Sequence, residues 1–239
     1  MKNIVEYLKI NKYDYKNYQF FTAHHSWAIR HFLTRQEKKL KDDSIIIDAG
    51  AGQCQYKEIF SKRHKYIAVD LCVGDKDWNF KGIDIEAPLD NIPLESEYAD
   101  VILLNQVLEH VYNPKEVLKE LSRILKKEGI ILATVPQNAG EHQIPYDFFR
   151  YTRYALKKMG EENGLQLVYL KPQGGAFIYT GELIGSLPFY IVGKSKIMHY
   201  LVLIFWTPFL LSINALCAVL DYFDKEKLLT QSYEFIYKK

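Results

Sequence analysis

The sequence predicts an α/β domain, a mostly parallel sheet with helices on both faces. Three observations carry that reading. Short β-branched runs at 44–50, 65–70, 99–106 and 129–136 alternate with segments of helical periodicity. The first run ends in a glycine turn, IIIDAGAG, while two others stop at Asp70 and Pro136. The composition, 48% hydrophobic and 25% charged over 239 residues, is that of a globular chain with ample length for a core.

In chain order, residues 1–43 read as helical and aromatic-rich, closing on the solvated run RQEKKLKDD. SIIIDAG has the look of a buried parallel strand. A helix follows over 53–63, then a second strand, KYIAVD, and a weak third, GIDI at 82–85. ADVILLNQ is a strong fourth. Asn113 can cap the next helix, with Pro114 in its first turn and Glu116 three residues after the cap. Val117, Leu118, Leu121, Ile124 and Leu125 give that helix one buried face. Lys126 and Lys127 suit its C-terminal dipole, and Gly129 should end it. GIILATVP is the fifth strand. A long loop, QNAGEHQIPYDFFRYT, precedes a helix over 152–163 and a sixth strand, LQLVYL. Residues 175–229 are largely apolar and helical in pattern, and SYEFIYKK alternates as a last edge strand does.

Composition also excludes function classes. Thirty-one Lys and Arg against 29 Asp and Glu lack the basic bias of a dedicated nucleic-acid binder. Cys54, Cys72 and Cys217 are scattered and odd in number. With no Cys/His ligand spacing, neither a zinc site nor a disulfide scaffold is expected, and a reducing, cytoplasmic setting fits. No metal ligand is assigned. The N-terminus has no signal-peptide core.

The glycine turn places Asp48 at the end of strand one, with Gly50 and Gly52 in the turn itself. Ligands of open α/β sheets sit outside the carboxyl ends of the strands. Asp70 ends strand two, 22 residues after Asp48. A carboxylate there can accept both hydroxyls of a ribose, so an adenosine-type ligand is favoured over an empty tight turn. NAD fits less well. The run from Gly50 is G-A-G-Q-C-Q, with Gln55 where a dinucleotide fingerprint has its third glycine, and an Asp before the first glycine suits a cationic ligand.

At these residues the sequence resembles the class I S-adenosylmethionine-dependent methyltransferases. DAGAGQC is similar to their D/E-x-G-x-G-x-G signature, with Cys54 at the last glycine. The resemblance runs through YIAVDL, with Asp70 and Leu71, and through GIDIEAPL. It continues into ADVILLNQVLEHV and the strand ending at Pro136, covering roughly 40–170. It implies S-adenosyl-L-methionine as cofactor and a Rossmann-like seven-stranded methyltransferase sheet of order 3-2-1-4-5-7-6. The sheet would carry an N-terminal helical cap (1–43) and a core (44–174). A hydrophobic helical insertion (175–229) would then precede the final strand (230–239). It also implies that Asp84 lies beside the adenine amino group with Ile85 against the ring, and that Asn105 and Gln106 frame the methionine end. Methyl transfer requires no metal.

On the acceptor side, EHQIPYDFFRYT resembles an H-x-x-P-x-D-x-F-R-Y-T loop of a bacterial subset of these enzymes, many encoded near glycan or natural-product assembly genes. His142 is a candidate general base, its ordinary pKa lying near neutrality. A loop histidine bonded only locally is the alternative. His110 serves as acid–base group or as site architecture. Tyr146, Asp147 and Arg150 are candidate substrate contacts, although Asp147 and Arg150 can simply pair with each other. Tyr18, His24, His25 and Trp27 belong either to a lid or to a helix docked by aromatic packing.

The expected function is methyl transfer to a small-molecule or glycan acceptor, with a lipid-linked acceptor considered and O-methylation preferred. The alternative is a non-catalytic cofactor-binding or scaffold protein. Ile197–Leu220 contains no Asp, Glu, Lys or Arg. Its length would allow a crossing. The final strand must nevertheless return to the same sheet, so a bent hairpin that touches the inner membrane face peripherally, broken or kinked at Pro208, is expected. A buried helix pair or a dimer interface is the alternative.

Overall fold

The computed structural model describes residues 24–74, 78–192 and 196–239. The chain separates into two compact units. One comprises Ile29–Gln173 with Gln231–Lys239; the other comprises Gly174–Thr230 with the residues up to Ala28. The expectation for Tyr18 lies outside the described residues.

The first unit is a seven-stranded sheet: β1 (Ile45–Ala49), β2 (Lys65–Asp70), β3 (Ile85–Glu86), β4 (Ala99–Asn105), β5 (Leu125–Pro136), β6 (Gln166–Gln173) and β7 (Ser232–Lys238). Their order is β3-β2-β1-β4-β5-β7-β6. The pairings from β3 through β5 are parallel, and β7 is antiparallel to both β5 and β6. The order implied by the resemblance is the one observed. β7 therefore lies inside the sheet and not at an edge. It is nearly all buried because both of its backbone edges are paired.

Strand alternation sends apolar side chains to both faces, which is why these strands read as continuous hydrophobic runs. On one face Ile47, Ile102, Leu104, Ile131 and Phe235 pack with Val117, Leu118, Leu121 and Ile124 of helix α3 (Pro114–Ile124). On the other, Ile46, Val101, Leu103 and Leu132 meet Ile29, Phe32 and Leu33 of α1 (His24–Glu37) and Phe60 of α2 (Lys57–Phe60). Arg35 ties α1 to the antiparallel edge by donating to Glu234 at 2.8 Å and to the Tyr169 hydroxyl at 3.2 Å.

Local pattern and tertiary structure disagree at four places. The helix expected over 53–63 shrinks to α2, because Gly50, Gly52 and Cys54 all take positive φ and hold the chain in turns. Strand three starts at Ile85, since the Asp84 carboxylate accepts the Ala68 N–H that a longer strand would have used. Helix α3 ends at Ile124, not near Gly129: Leu125 pairs with Ala99, so Lys126 and Lys127 lie in β5. Asn113 precedes α3 without making a side-chain cap bond, whereas Thr152 caps α4 (Arg153–Glu162) by accepting from Ala155 N.

The second unit is built on helices α5 (Ala176–Val192) and α6 (Lys196–Asp221). Pro208 does not break α6, which runs on as a single helix. Asp221, at the end of α6, accepts from the N–H groups of Gly175 and Ile178, and Asp224 from that of Ala176. The N-terminal donors of α5 are thus satisfied by carboxylates from the returning chain, fixing a hairpin. Midway along it Gly181 and Gly185 face Asn214, Cys217 and Leu210, in a G-x-x-x-G spacing that lets the two helices approach closely.

Candidate active site

β1 pairs with β2 on one side and β4 on the other, so the loops leaving β1 and β4 diverge and open a crevice at the carboxyl edge. A cleft of about 380 Å³ lies there. Gly50, Asp70, Leu71, Trp78, Leu89, Gln106 and Val107 are among its walls, and His110, Val111, Gln143, Ile144 and Tyr146 also line it.

The β1 turn is built to bring backbone close to a ligand. At Gly50 (φ +75°) a Cβ would stand 2.6 Å from Val107 Cγ2, and at Gly52 (φ +53°) one would stand 3.1 Å from the Trp78 ring. Only glycine combines that conformation with that closeness. Cys54 occupies the signature's last glycine position, yet its backbone keeps the left-handed conformation at φ 54°. Burial pushes its thiol up to about 11, so it is no nucleophile at neutral pH.

Asp70 joins the turn to the cleft. Its Oδ2 accepts the Gly52 N–H at 2.8 Å and its Oδ1 the Cys72 N–H at 2.7 Å. Each oxygen keeps lone-pair capacity, so the carboxylate stands pre-oriented to receive a diol. Asp48, by contrast, is buried off the cleft wall and accepts a bond from the Tyr66 hydroxyl. Desolvation raises its pKa to about 7. Asp84 is held by Ala68 N, and Ile85 packs against the core. Neither lines the cleft, and the residue paired with Asp70 at the end of β3 is Glu86. Asn105 lies behind the wall: the Thr134 hydroxyl donates to it and itself accepts from Gln106 Nε2.

The loop after β5 is fastened to the turn after β4. Phe148 and Phe149 N–H groups donate to the Glu109 carbonyl, and the Tyr151 hydroxyl donates to the Leu108 carbonyl. Arg150 grips Asp147 with two nitrogens, at 2.6 and 2.8 Å, and reaches the carbonyls of Ala139 and Gly140. That pairing holds the Asp147 carboxyl far below the usual range. Asp147 and Arg150 therefore brace the loop and are absent from the cleft wall, whereas Tyr146 is on it.

The bracing orients two histidines. His110 Nδ1 lies 2.6 Å from the Tyr146 carbonyl, and His142 Nδ1 lies 3.0 Å from that of Gly140. A carbonyl only accepts, so in each ring Nδ1 carries the proton and Nε2 presents a lone pair. The rings meet edge to face with centroids 4.7 Å apart. Burial lowers the His110 pKa, and its neighbour His142 lowers it further. Beside them Glu109 is fully buried. Among the described residues, Glu109, His110 and His142 are the group whose donor atoms converge as metal ligands do. Spacing-based reading assigned no metal ligand, because His142 is distant in sequence and only the loop's docking brings it in. His24, in the other unit, packs near Gly174 and is lowered to about 4, chiefly by burial.

A seven-stranded sheet with an antiparallel β7, a glycine turn and a carboxylate at the end of β2 define a class I S-adenosylmethionine-dependent methyltransferase. The glycine cradle and the Asp70 diol acceptor suit its cofactor, S-adenosyl-L-methionine. The chain belongs to the methyltransferase-domain family, whose model matches residues 21–170. No curated protein sequence matches it. Among solved structures it is similar to a methyltransferase of Archaeoglobus fulgidus, at 17% identity and a TM-score of 0.57, covering 92% of this chain and 97% of that one. It is also similar to the 1,6-didemethyltoxoflavin N1-methyltransferase of Burkholderia thailandensis, with S-adenosylhomocysteine bound. That likeness has 14% identity and a TM-score of 0.56 over 92% and 84% of the chains. The [4+2]-cyclase SpnF matches at 14% identity and 0.56 over 90% and 81%. These likenesses are of fold.

Proposed function

We propose that this methyltransferase modifies a hydroxyl group of a small molecule or glycan, with the acceptor carried on a lipid. The observation that carries O-methylation is a pair of imidazoles whose Nδ1 atoms are tied to carbonyls, so that Nε2 is the atom left to accept a proton; His110 lines the cleft, and His142, not itself on its wall, packs edge to face against it. Asp70 and the glycine turn hold the ribose end, and Gln106 and Val107 line the same cleft. S-adenosyl-L-methionine supplies an electrophilic methyl on a sulfonium. The acceptor oxygen attacks in line, its bond to carbon forming as the sulfur–carbon bond breaks, and its proton passes to an imidazole Nε2. Relatives of the fold act on varied substrates, one of them 1,6-didemethyltoxoflavin, so the acceptor must be read from this site.

His142→Ala should lower kcat by about 10²- to 10⁴-fold, the range for a general base, and leave affinity for S-adenosylhomocysteine unchanged. Methyl-labelled cofactor incubated with lipid-linked and free hydroxylated glycans provides the assay. Full turnover in the variant would remove the histidine from the chemistry.

The lipid part rests on the α5–α6 hairpin. Ile204–Asp221 has a mean hydropathy of 1.6 with 6% of it buried, unlike the largely buried core helix of a soluble protein. Ile191, Ile197 and Phe205 are 85%, 73% and 75% exposed. An apolar face of this extent fits a membrane surface. The chain leaves the sheet at Gln173 and re-enters at Ser232, its register partner, so the excursion returns to its starting edge. Asn214 faces Gly181 inside the hairpin, shielded from hydrocarbon. We read the segment as a monotopic hairpin at the inner, cytoplasmic face of a membrane, and flotation with vesicles tests it.

A further inference from the structure

Glu109 is fully buried, and neither of its carboxylate oxygens has a hydrogen-bond partner on another residue. A buried carboxylate without donors is costly, and folded proteins pair such groups or use them to hold cations. The charges around it do not answer that need, since Arg150 is committed to Asp147.

Glu109 Oε1 lies 3.8 Å from His110 Nε2, itself buried and without a hydrogen-bond partner. One donor atom from each of Glu109, His110 and His142 lies within 4.8 Å of the others. Both imidazoles already donate Nδ1–H to a backbone carbonyl. Metal-binding histidines make that same outer contact, which fixes the tautomer and turns Nε2 toward the ion.

We infer that Glu109, His110 and His142 form a divalent-cation site whose open positions take the hydroxyl oxygen of the acceptor. Two imidazole nitrogens and one carboxylate suit a first-row ion such as Zn²⁺ or Mn²⁺. Bonds of about 2.1 Å place ligands about 3–4 Å apart, so the three close by up to about an ångström around the ion. His142, at 38% side-chain exposure on its loop, has room to move. The inference rests on the hydroxyl-acceptor reading and changes who handles the proton. With both Nε2 lone pairs committed, the cation acidifies the acceptor O–H and the proton is released to water. The oxygen–carbon bond still forms as the sulfur–carbon bond breaks.

Full-length protein stripped with a chelator and titrated calorimetrically with ZnCl₂ or MnCl₂, without cofactor or acceptor, tests the site. One ion per chain is expected. Glu109→Gln and His142→Ala should each weaken it at least tenfold while keeping wild-type affinity for S-adenosylhomocysteine. His142 is a loop position, so its variant decides the matter if the buried Glu109→Gln change unfolds the chain. Absence of stoichiometric binding, or equal affinity in the folded variants, overturns the site. S-adenosylhomocysteine binding with no ion bound defeats the cation site alone, whereas failure of wild type to bind S-adenosylhomocysteine defeats the wider methyl-transfer reading.

Discussion

Replacing Asp70 with alanine should damage cofactor binding and the β1 turn together, by separable amounts. The carboxylate accepts two backbone bonds, from Gly52 N and Cys72 N, at 2.8 and 2.7 Å. Bonds to a charged acceptor contribute about 1.5–3 kcal/mol each. Cys72 N–H can turn to water, while Gly52 N–H is buried with the turn, so a loss of about 2–3 kcal/mol is expected. At about 2–4 °C per kcal/mol for a chain of this size, Tm should fall by about 4–12 °C. Loss of the ribose contact removes a further 1.5–3 kcal/mol or so of affinity, about 10- to 150-fold in Kd. Thermal unfolding without ligand isolates the first effect, and calorimetry with S-adenosylhomocysteine well below the lowered Tm isolates the second. An unchanged Kd in a folded Asp70→Ala protein would refute the placement of the ribose. An unchanged Tm would refute the role given to the carboxylate in the turn.

Gly50→Ala should lower Tm and weaken cofactor binding, because its Cβ would stand 2.6 Å from Val107 at φ +75°, with strain and overlap each costing about 1–3 kcal/mol; a Tm equal to wild type would show that the turn relaxes freely. Asp48 carries a pH signature. Its folded pKa, near 7, lies above the ordinary aspartate value of 3.8, so between those pH values the folded state holds a proton that the unfolded state has released. The contribution of Asp48 to stability should therefore fall as pH rises through that window, by up to about 1.4 kcal/mol per unit, and level off above pH 7. Asp48→Asn should reduce the slope seen in urea titrations at pH 4.5, 6 and 7.5 by that amount, and a parallel pair of curves would count against it. Phe205→Asp, at an exposed hairpin position, should reduce flotation with vesicles without shifting Tm; retained flotation would place the membrane contact elsewhere.

The strands were legible because parallel β-structure buried on both faces leaves a continuous apolar imprint, as in IIIDA and VILLN. The glycine turn and Asp70 were legible because their conformational and chemical demands are local. Position along the chain did not reveal who occupies the walls. Trp78 over Gly52 and Val107 against Gly50 come from different loops, and no spacing rule links them. Asp48 read as a site acid because it ends a strand-like run at the glycine turn, and Asp84 because the resemblance puts an acid there. Donors within the protein claim both: the Tyr66 hydroxyl takes the buried Asp48, and Ala68 N takes Asp84.

Secondary structure near the sheet shows the same division. Lys126, Lys127 and Gly129 suit a helix end by local rules, yet pairing of Leu125 with Ala99 draws the chain into β5 first. The alternation of SYEFIYKK marks a strand but not its neighbours, and only pairing on both sides makes β7 interior. The sequence by itself determined the class of fold, the cofactor turn and the apolar hairpin, because each depends on residues within a few positions of one another. The tertiary structure alone decided that Glu109, His110 and His142 share one small volume. That meeting requires the loop after β5 to dock on the turn after β4, through Tyr151, Phe148 and the Asp147–Arg150 brace, and such long-range contacts leave no periodic trace in the chain.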